Sequence, residues 1–327
     1  MRRGLYDRGL LRSWRPPVPC ISVGNISWGG SGKTPLCSWL LKWCLEQGLT
    51  PALLTRGYKA SPPHLPYRVG PESPVDEAGD EPLMLARSCP GSAHIVVDPR
   101  RTRGGRWIFE AESPGACLLD DGFQHLAVQR DIDLVLLRPA DLGHEWSAVL
   151  PSGSWREGAD ALRRADAFLV NAQPDEVDRL LPEIEARLSP LGRPVFCFSL
   201  QIRDLLRVVD QKPVSGLSAR DCLLVSGVGS PESVESSART FLGAAVREHL
   251  RFADHRSYTA RDWAFMVDRA SALGCSTILC TTKDAVKLER FADARLISLT
   301  PSLVFADSCH RSGDFASWLA AALSSCS

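Results

Sequence analysis

The stretch "SVGNISWGGSGKTP", residues 22–35, ends in Gly-Lys-Thr behind three closely spaced glycines. A phosphate-cradling loop usually reads G-x-x-x-x-G-K-[ST], and the place of its first glycine is held here by Ser27. The surroundings are those of a working loop. "VPCISVG" (18–24) reads as a buried strand, and "TPLCSWLLKWCLEQG" (34–48) as a helix with Leu36, Leu40, Trp43 and Cys44 at helical spacing. In the order strand, glycine-rich turn, helix, the backbone N–H groups of Gly29, Gly30 and Gly32 converge on a polyphosphate at the helix N-terminus. Lys33 then reaches the β- and γ-phosphates, and the Thr34 hydroxyl ligates Mg²⁺. A serine at 27 fits if the chain enters the loop with φ below zero. The nucleotide-binding candidates are Ser27, Trp28, Gly29, Gly30, Ser31, Gly32, Lys33 and Thr34; a purely structural turn is the alternative.

Outward from this loop, "PALLTRG" (51–57), "HIVVD" (94–98), "ACLLDD" (116–121), "DLVLLR" (133–138) and "AFLVN" (167–171) are short apolar runs. Such runs suit strands of a mostly parallel sheet buried on both faces. "SPPHLPYRVGPESP" (61–74) reads as an irregular excursion or hairpin. From Pro194 the chain turns extended, and "CLLVSGVGSPESV" (222–234) and "STILCTTKDAVKL" (276–288) begin a second group of strands and helices. The expected fold is α/β: a P-loop NTPase-like, mostly parallel sheet domain and a second, smaller α/β domain joined by an extended linker. The expected boundaries are 1–195 for the first domain, completed by a C-terminal helix at 312–327, then 196–215 for the linker and 216–311 for the second domain.

The chain of 327 residues is long enough for about two domains. Its 38 basic and 38 acidic residues balance, so no overall field favours nucleic acid. The 11 cysteines form no C-x-x-C pair and read as reduced core residues rather than a disulfide frame or zinc site. The first nineteen residues, basic and interleaved with Leu5, Leu10, Leu11 and Trp14, lack the apolar core of a signal peptide. They read either as a helix packed on the domain or as a surface-seeking segment.

Acidic partners for a metal come from "LLDDGFQH" (118–125), where Asp120 and Asp121 end a predicted strand; a helix cap and a turn residue are the alternative. "AGDEP" (78–82) adds Asp80 and Glu81, which taken alone read as a helix start. His255 lies between Asp254 and Arg256 in "FADHRSY" (252–258), a weak signal for a tuned base. Arg100, Arg101, Arg103 and Arg106 form a basic run, either a solvated face or the source of one phosphoryl-neutralising group. "TTKD" (281–284) does not have the spacing of a guanine-recognition sequence.

With these motifs in hand, the chain resembles the tetraacyldisaccharide 4'-kinases. The resemblance rests on "RRGLYDRG" (2–9), "VPCISVGNISWGGSGKTP" (18–35), "LLTRGY" (53–58), "GDEP" (79–82), "LLDDGFQHLAVQRDIDLVLL" (118–137), "LPSGSWREGADALRRADAFLVN" (150–171), "FADHRSY" and "TTKDAVKL" (281–288). That family carries Ser or Thr where Ser27 stands. The resemblance implies an ATP- and Mg²⁺-dependent transfer to a glycolipid, the tetraacyldisaccharide 1-phosphate, at the cytoplasmic face of the inner membrane, with no obligate protein partner and no nucleic acid. It implies Asp80 as the base, supported by His255 across the two domains, with Lys33 and Asp121 also catalytic. Thr34, Asp120, Asp121 and Glu157 fall on the metal side, Arg101 and Gln124 beside the nucleotide, and Arg56 and Tyr58 at the substrate entrance. The family's N-terminal apolar stretch is longer, so membrane attachment is expected to be peripheral, through the first helix. Apart from the resemblance, the rival readings are a soluble P-loop kinase of a small metabolite and a partner-regulated P-loop ATPase.

Overall fold

The computed structural model describes residues 2–8, 10–306 and 313–325. The chain divides into two compact units, residues 1–200 with 303–327, and residues 201–302. In chain order the elements up to the division are α1 (Arg2–Asp7), β1 (Cys20–Asn25), α2 (Lys33–Glu46), β2 (Pro51–Thr55), β3 (Tyr67–Val69), α3 (Val75–Ala78), α4 (Asp80–Ser88) and β4 (His94–Val97). There follow α5 (Arg101–Ala111), β5 (Ala116–Asp120), β6 (Ile132–Leu137), α6 (Pro139–Leu142), β7 (Ala167–Asn171), α7 (Pro174–Arg187) and β8 (Val195–Arg207). The remainder comprises β9 (Cys222–Ser226), α8 (Pro231–Leu242), β10 (Glu248–Arg251), α9 (Ala260–Ala272), β11 (Thr277–Thr281), α10 (Thr282–Leu288), β12 (Leu296–Phe305) and α11 (Phe315–Ser324).

In the first unit the strands run in the order β8-β7-β6-β1-β5-β2-β4-β3. All pair in parallel except β3, which joins β4 antiparallel at the edge. The "PYRVGPESP" segment thus supplies a short edge strand, and the rest of it is irregular. Every residue of β1, β2, β5 and β6 is buried, as expected of a parallel sheet covered on both faces. Strand β1 is central, flanked by β5 and β6, while its crossover through α2 leads to β2 one place further out. Strand order reverses at β1, so a crevice opens beyond the carboxyl ends of β1 and its neighbours. Val23 lies opposite Asp120 in the register, and this brings the glycine loop and the Asp120–Asp121 pair to the same edge.

Helix α2 packs on that sheet through Leu36, Cys37, Leu40, Leu41 and Cys44, all fully buried. Its outer aromatic face is used as well: Trp39 meets Phe305 and Phe315 at ring-centroid distances of 5.4 and 5.3 Å. Phe315 also packs on Phe196 at 5.1 Å, so α11 closes the core of the first unit. The second unit holds the parallel order β10-β9-β11-β12, with Leu223, Val225, Trp263, Met266 and Ile278 in its core.

Among the described residues eight cysteines are free and buried. Cys197 is disulfide-bonded, which corrects the expectation of a wholly reduced set; linear spacing says nothing of which thiols a fold brings within bonding distance. Cys309 and Cys326 lie outside the described residues. Among the described residues no helix is long and apolar enough to cross a membrane.

Candidate active site

The loop from Ile26 to Gly32 is built around two residues with positive φ, Gly29 at 116° and Gly32 at 94°. Gly32 caps α2, and a Cβ there would also lie 3.1 Å from the Phe198 ring, so both conformation and space require glycine. Ser27 is fully buried, and its hydroxyl donates to Asp141 at 3.0 Å. Asp141 also accepts from Trp155 Nε1 at 3.1 Å and from the Arg138 N–H at 2.8 Å. The Trp28 N–H donates to the Ser154 carbonyl at 2.8 Å, fastening the lip of the loop to the 148–156 segment. The serine is therefore a polar anchor under the loop, and positive φ is needed only at the glycines. Ser27→Ala is expected to lower stability by about 1 kcal/mol, the worth of one buried hydrogen bond, and to leave nucleotide affinity within about threefold. A melt compared with a nucleotide titration checks both.

Above this anchor, Trp28, Gly29 and Gly30 are exposed and Ser31 is buried. Lys33 Nζ donates to Asn25 Oδ1 at 3.1 Å and lies 3.6 Å from Asp121 Oδ1. The Thr34 hydroxyl donates to Glu81 Oε2 at 3.0 Å. Glu81 stands beside Asp80 in the first turn of α4, whose cap Gly79 has φ 83° and ψ 151°, a conformation open in practice to glycine alone. "GDEP" is thus both a helix start and a device that delivers an acidic pair to the N-terminal end of α2. Asp80 is buried, and its Oδ1 accepts the Glu81 N–H at 3.0 Å.

The two aspartates after β5 have opposite electrostatics. Asp120 accepts from the Thr55 hydroxyl at 2.7 Å; burial above all, then the charge of Glu81, pushes its pKa up to about 6. Asp121 adopts φ 47°, which turns its carboxylate toward Arg156 Nη1, 3.0 Å from both oxygens. Burial alone would raise Asp121, but Lys33, Arg156 and Arg101 outweigh it and hold the group below the usual carboxylate range. A neighbouring pair with separated acidities can hold a proton or a cation at one oxygen set and a fixed negative charge at the other.

Three nitrogen-bearing side chains frame this pair. Arg101 is 7% exposed, reaches the Asp120 carbonyl at 3.4 Å, and has its pKa lowered by burial against the pull of both aspartates. Its Nε has no hydrogen-bond partner, an orphaned donor in a strongly acidic setting. Gln124 donates to the Asn25 carbonyl at 3.0 Å and accepts from Arg156 at 3.3 Å. Arg156 in turn lies over the exposed Trp28 ring, 4.9 Å from its centroid. Tyr58 and Arg56, after β2, are exposed.

Glu157 is held by Arg164, whose Nη2 and Nη1 lie 2.9 and 3.1 Å from its two oxygens. The adjacent Arg156 is the residue of "WREG" that meets Asp121. In the second unit, His255 has φ 55°, donates its N–H to Asp254 at 2.9 Å, and has Lys283 Nζ 3.0 Å from Nε2. Lys283 comes from "TTKD", where Thr281 caps α10 and donates to Asp284 at 2.6 Å. Asn25, Glu81 and Arg156 join the site although the motifs alone did not place them there. The signal for Glu81 was present, because it is the neighbour of Asp80 on a helix that must begin at glycine. Among the described residues no cluster of three or more His, Cys, Asp and Glu is arranged around a cation position.

A family model described as tetraacyldisaccharide-1-P 4'-kinase matches residues 1–324. A tetraacyldisaccharide 4'-kinase of Nitratidesulfovibrio vulgaris is 46% identical over 318 residues, covering 97% of this chain and 88% of that protein. Its namesake from Oleidesulfovibrio alaskensis is 51% identical over 288 residues, covering 88% and 79%. The crystal structure of LpxK from Aquifex aeolicus in complex with ATP superposes with a TM-score of 0.74 at 29% identity, over 98% of this chain and 94% of that one. With a loop, an acid pair and a framing arginine set in one crevice, and a match from end to end, the chain belongs to the tetraacyldisaccharide-1-phosphate 4'-kinase family.

Proposed function

We propose that this protein transfers the γ-phosphate of ATP to the 4'-hydroxyl of a tetraacyldisaccharide 1-phosphate, a step of lipid A biosynthesis that yields lipid IVA. The observation that carries this reading is the convergence of Lys33, Thr34, Glu81, Asp120 and Asp121 at the N-terminal end of α2. The same residues fit Mg²⁺: a hydroxyl, a buried carboxylate whose ionised form burial and the charge of Glu81 disfavour despite Lys33, and further carboxylate oxygens nearby suit a cation completed by phosphate oxygens and water. Thr34 and Asp120 would hold it, with Asp121 and Glu81 nearby, while both oxygens of Glu157, the further metal-side candidate, are occupied by Arg164; when bound the ion would neutralise charge on the transferring phosphoryl group.

The chain's own groups do the rest. The loop N–H groups and Lys33 align the polyphosphate, and Arg101 and Arg156 spread positive charge over the crevice. Asp80 accepts the proton from the sugar hydroxyl, a poor nucleophile until that proton leaves, and the motif resemblance adds His255 as a residue on which turnover depends. Labelled γ-phosphate should move to purified tetraacyldisaccharide 1-phosphate in detergent micelles only when both Mg²⁺ and acceptor are present. ATP hydrolysis independent of the glycolipid would instead favour a partner-regulated ATPase. Asp80→Asn and His255→Ala are each expected to lower kcat by about a hundredfold with little change in the KM for ATP; unaltered turnover in His255→Ala would remove that residue from the mechanism.

The acceptor lies in a bilayer, and we place the protein peripherally at the inner membrane's cytoplasmic face. Leu5, Leu10 and Leu11 are 40%, 67% and 38% exposed, an apolar set interleaved with arginines. Co-sedimentation with anionic vesicles, weakened by Leu10→Ser with Leu11→Ser, is the expected result; equal sedimentation of both proteins would refute it.

A further inference from the structure

The carboxyl edge of the parallel sheet in the second unit gathers the loops that follow β9, β10 and β11. They carry Gly227, the 252–258 segment and the start of α10. One carboxylate ties them together. Asp284 is fully buried and accepts from the Gly227 N–H at 3.0 Å, the Tyr258 hydroxyl at 2.9 Å and the Thr281 hydroxyl at 2.6 Å. A Cβ at Gly227 would come within 2.8 Å of the Tyr258 hydroxyl oxygen, so these loops are closely packed as well as bonded.

This frame fixes two side chains in places that local stability does not ask for. Lys283 stands in the first turn of α10, where the helix dipole favours acids over cations. His255 holds φ 55°, a conformation costly for a residue with a Cβ and kept where the surroundings enforce it. The two meet. Lys283 Nζ lies 3.0 Å from His255 Nε2 and 3.1 Å from Asp254 Oδ1, which also accepts the His255 N–H at 2.9 Å. The lysine and histidine side chains are 15% and 18% exposed, so water competes little for their contact. An ammonium has N–H donors and no acceptor. A ring nitrogen at hydrogen-bond distance from it must offer a lone pair, so Nε2 is unprotonated and the proton of the neutral ring sits on Nδ1.

We propose that Lys283 is a positioning residue that holds His255 as its Nδ1–H tautomer, so that His255 serves the reaction as a hydrogen-bond donor through Nδ1 and not as a base through Nε2. Its consequence for turnover rests on the function proposed above, whereas the tautomer stands by itself. Within "TTKD", Asp284 then sets the frame and Lys283 the proton.

The first measurement is the nitrogen NMR spectrum of the ¹⁵N-histidine-labelled full chain at about pH 8, with His255 assigned by its loss in His255→Gln. Expected is a protonated Nδ1 and an unprotonated Nε2 in the wild type. Lys283→Met should change this to the Nε2–H form that an unconstrained imidazole favours, and Lys283→Arg should retain it. An Nε2–H or doubly protonated ring in the wild type, or the same tautomer in Lys283→Met, would overturn the proposal whatever the rate of transfer. Turnover gives the second reading. Lys283→Met is expected to lower kcat about tenfold, as for loss of a charge-assisted hydrogen bond, with the KM for ATP and the melting temperature retained. Lys283→Arg should recover most of the rate. In a His255→Ala background Lys283→Met should cost nothing further, because its effect passes through that ring. Equal losses in both backgrounds would overturn the positioning role. Absence of transfer by the wild-type protein, with the tautomer as expected, would instead count against the proposed function.

Discussion

Lys33→Ala should abolish transfer while leaving a folded protein. The side chain is 17% exposed and its contacts are polar, to Asn25 at 3.1 Å and Asp121 at 3.6 Å, so its removal leaves no cavity in the core. In the proposed mechanism its loss removes the positive charge aimed at the site where negative charge develops, an effect of about a thousandfold on kcat. A second consequence follows at Asp121. Lys33 is the foremost of the charges that hold this carboxylate below its usual range, so its removal lets the Asp121 pKa rise. The variant should therefore show weakened nucleotide binding together with an unchanged melting temperature at neutral pH. Transfer within tenfold of wild type would mean that Lys33 does not face the phosphates.

Asp120→Asn should separate activity from stability. Burial and Glu81 raise the Asp120 pKa from 3.8 to about 6. A carboxyl with a raised folded-state pKa contributes stability that is fully present below its unfolded pKa and is lost as pH rises through the folded value. At pH 8 the ionised, buried group is therefore a burden on the native state, and a neutral amide removes it. The variant is expected to be more stable than wild type by about 2 kcal/mol at pH 8, with the advantage vanishing below about pH 4, where both proteins carry a neutral side chain. Its phosphoryl transfer should fall by at least a hundredfold, and Mg²⁺ with ATP should raise its melting temperature less than that of wild type. Urea melts across pH 4–8 with and without Mg²⁺ make the comparison; a variant less stable than wild type at every pH would show that the carboxylate is not held at a cost.

The parallel sheet was readable because its strands are short apolar runs, buried on both faces, and such runs need no partner to be recognised. The loop was readable for a related reason: Gly29 and Gly32 hold conformations that few other residues adopt, so they stand in the sequence as glycines. Ser27 looked anomalous until its hydroxyl was seen to donate to Asp141, 114 residues away. No local pattern records a contact of that range. Arg156 is similar, since it and Glu157 are adjacent in sequence, and only the turn of the backbone decides that the arginine meets Asp121 while the glutamate meets Arg164. Glu81 lay in view as half of an acidic pair, but its bond to Thr34 depends on the approach of α4 to α2.

What the sequence by itself determined is the order strand, loop, helix, the residue types able to bind phosphate and cation, and, through ordered motifs along the whole chain, the family. Local sterics and hydrophobic periodicity act over a few residues, and motifs of that range carry them. Tertiary structure alone decided which acidic group is raised and which is held ionised. It also decided that the Lys283 ammonium meets the ring of His255, 28 residues earlier in the chain. Burial and electrostatic coupling depend on distances between residues far apart in the chain, and those distances exist only once the sheet has set β1, β5 and their crossovers side by side.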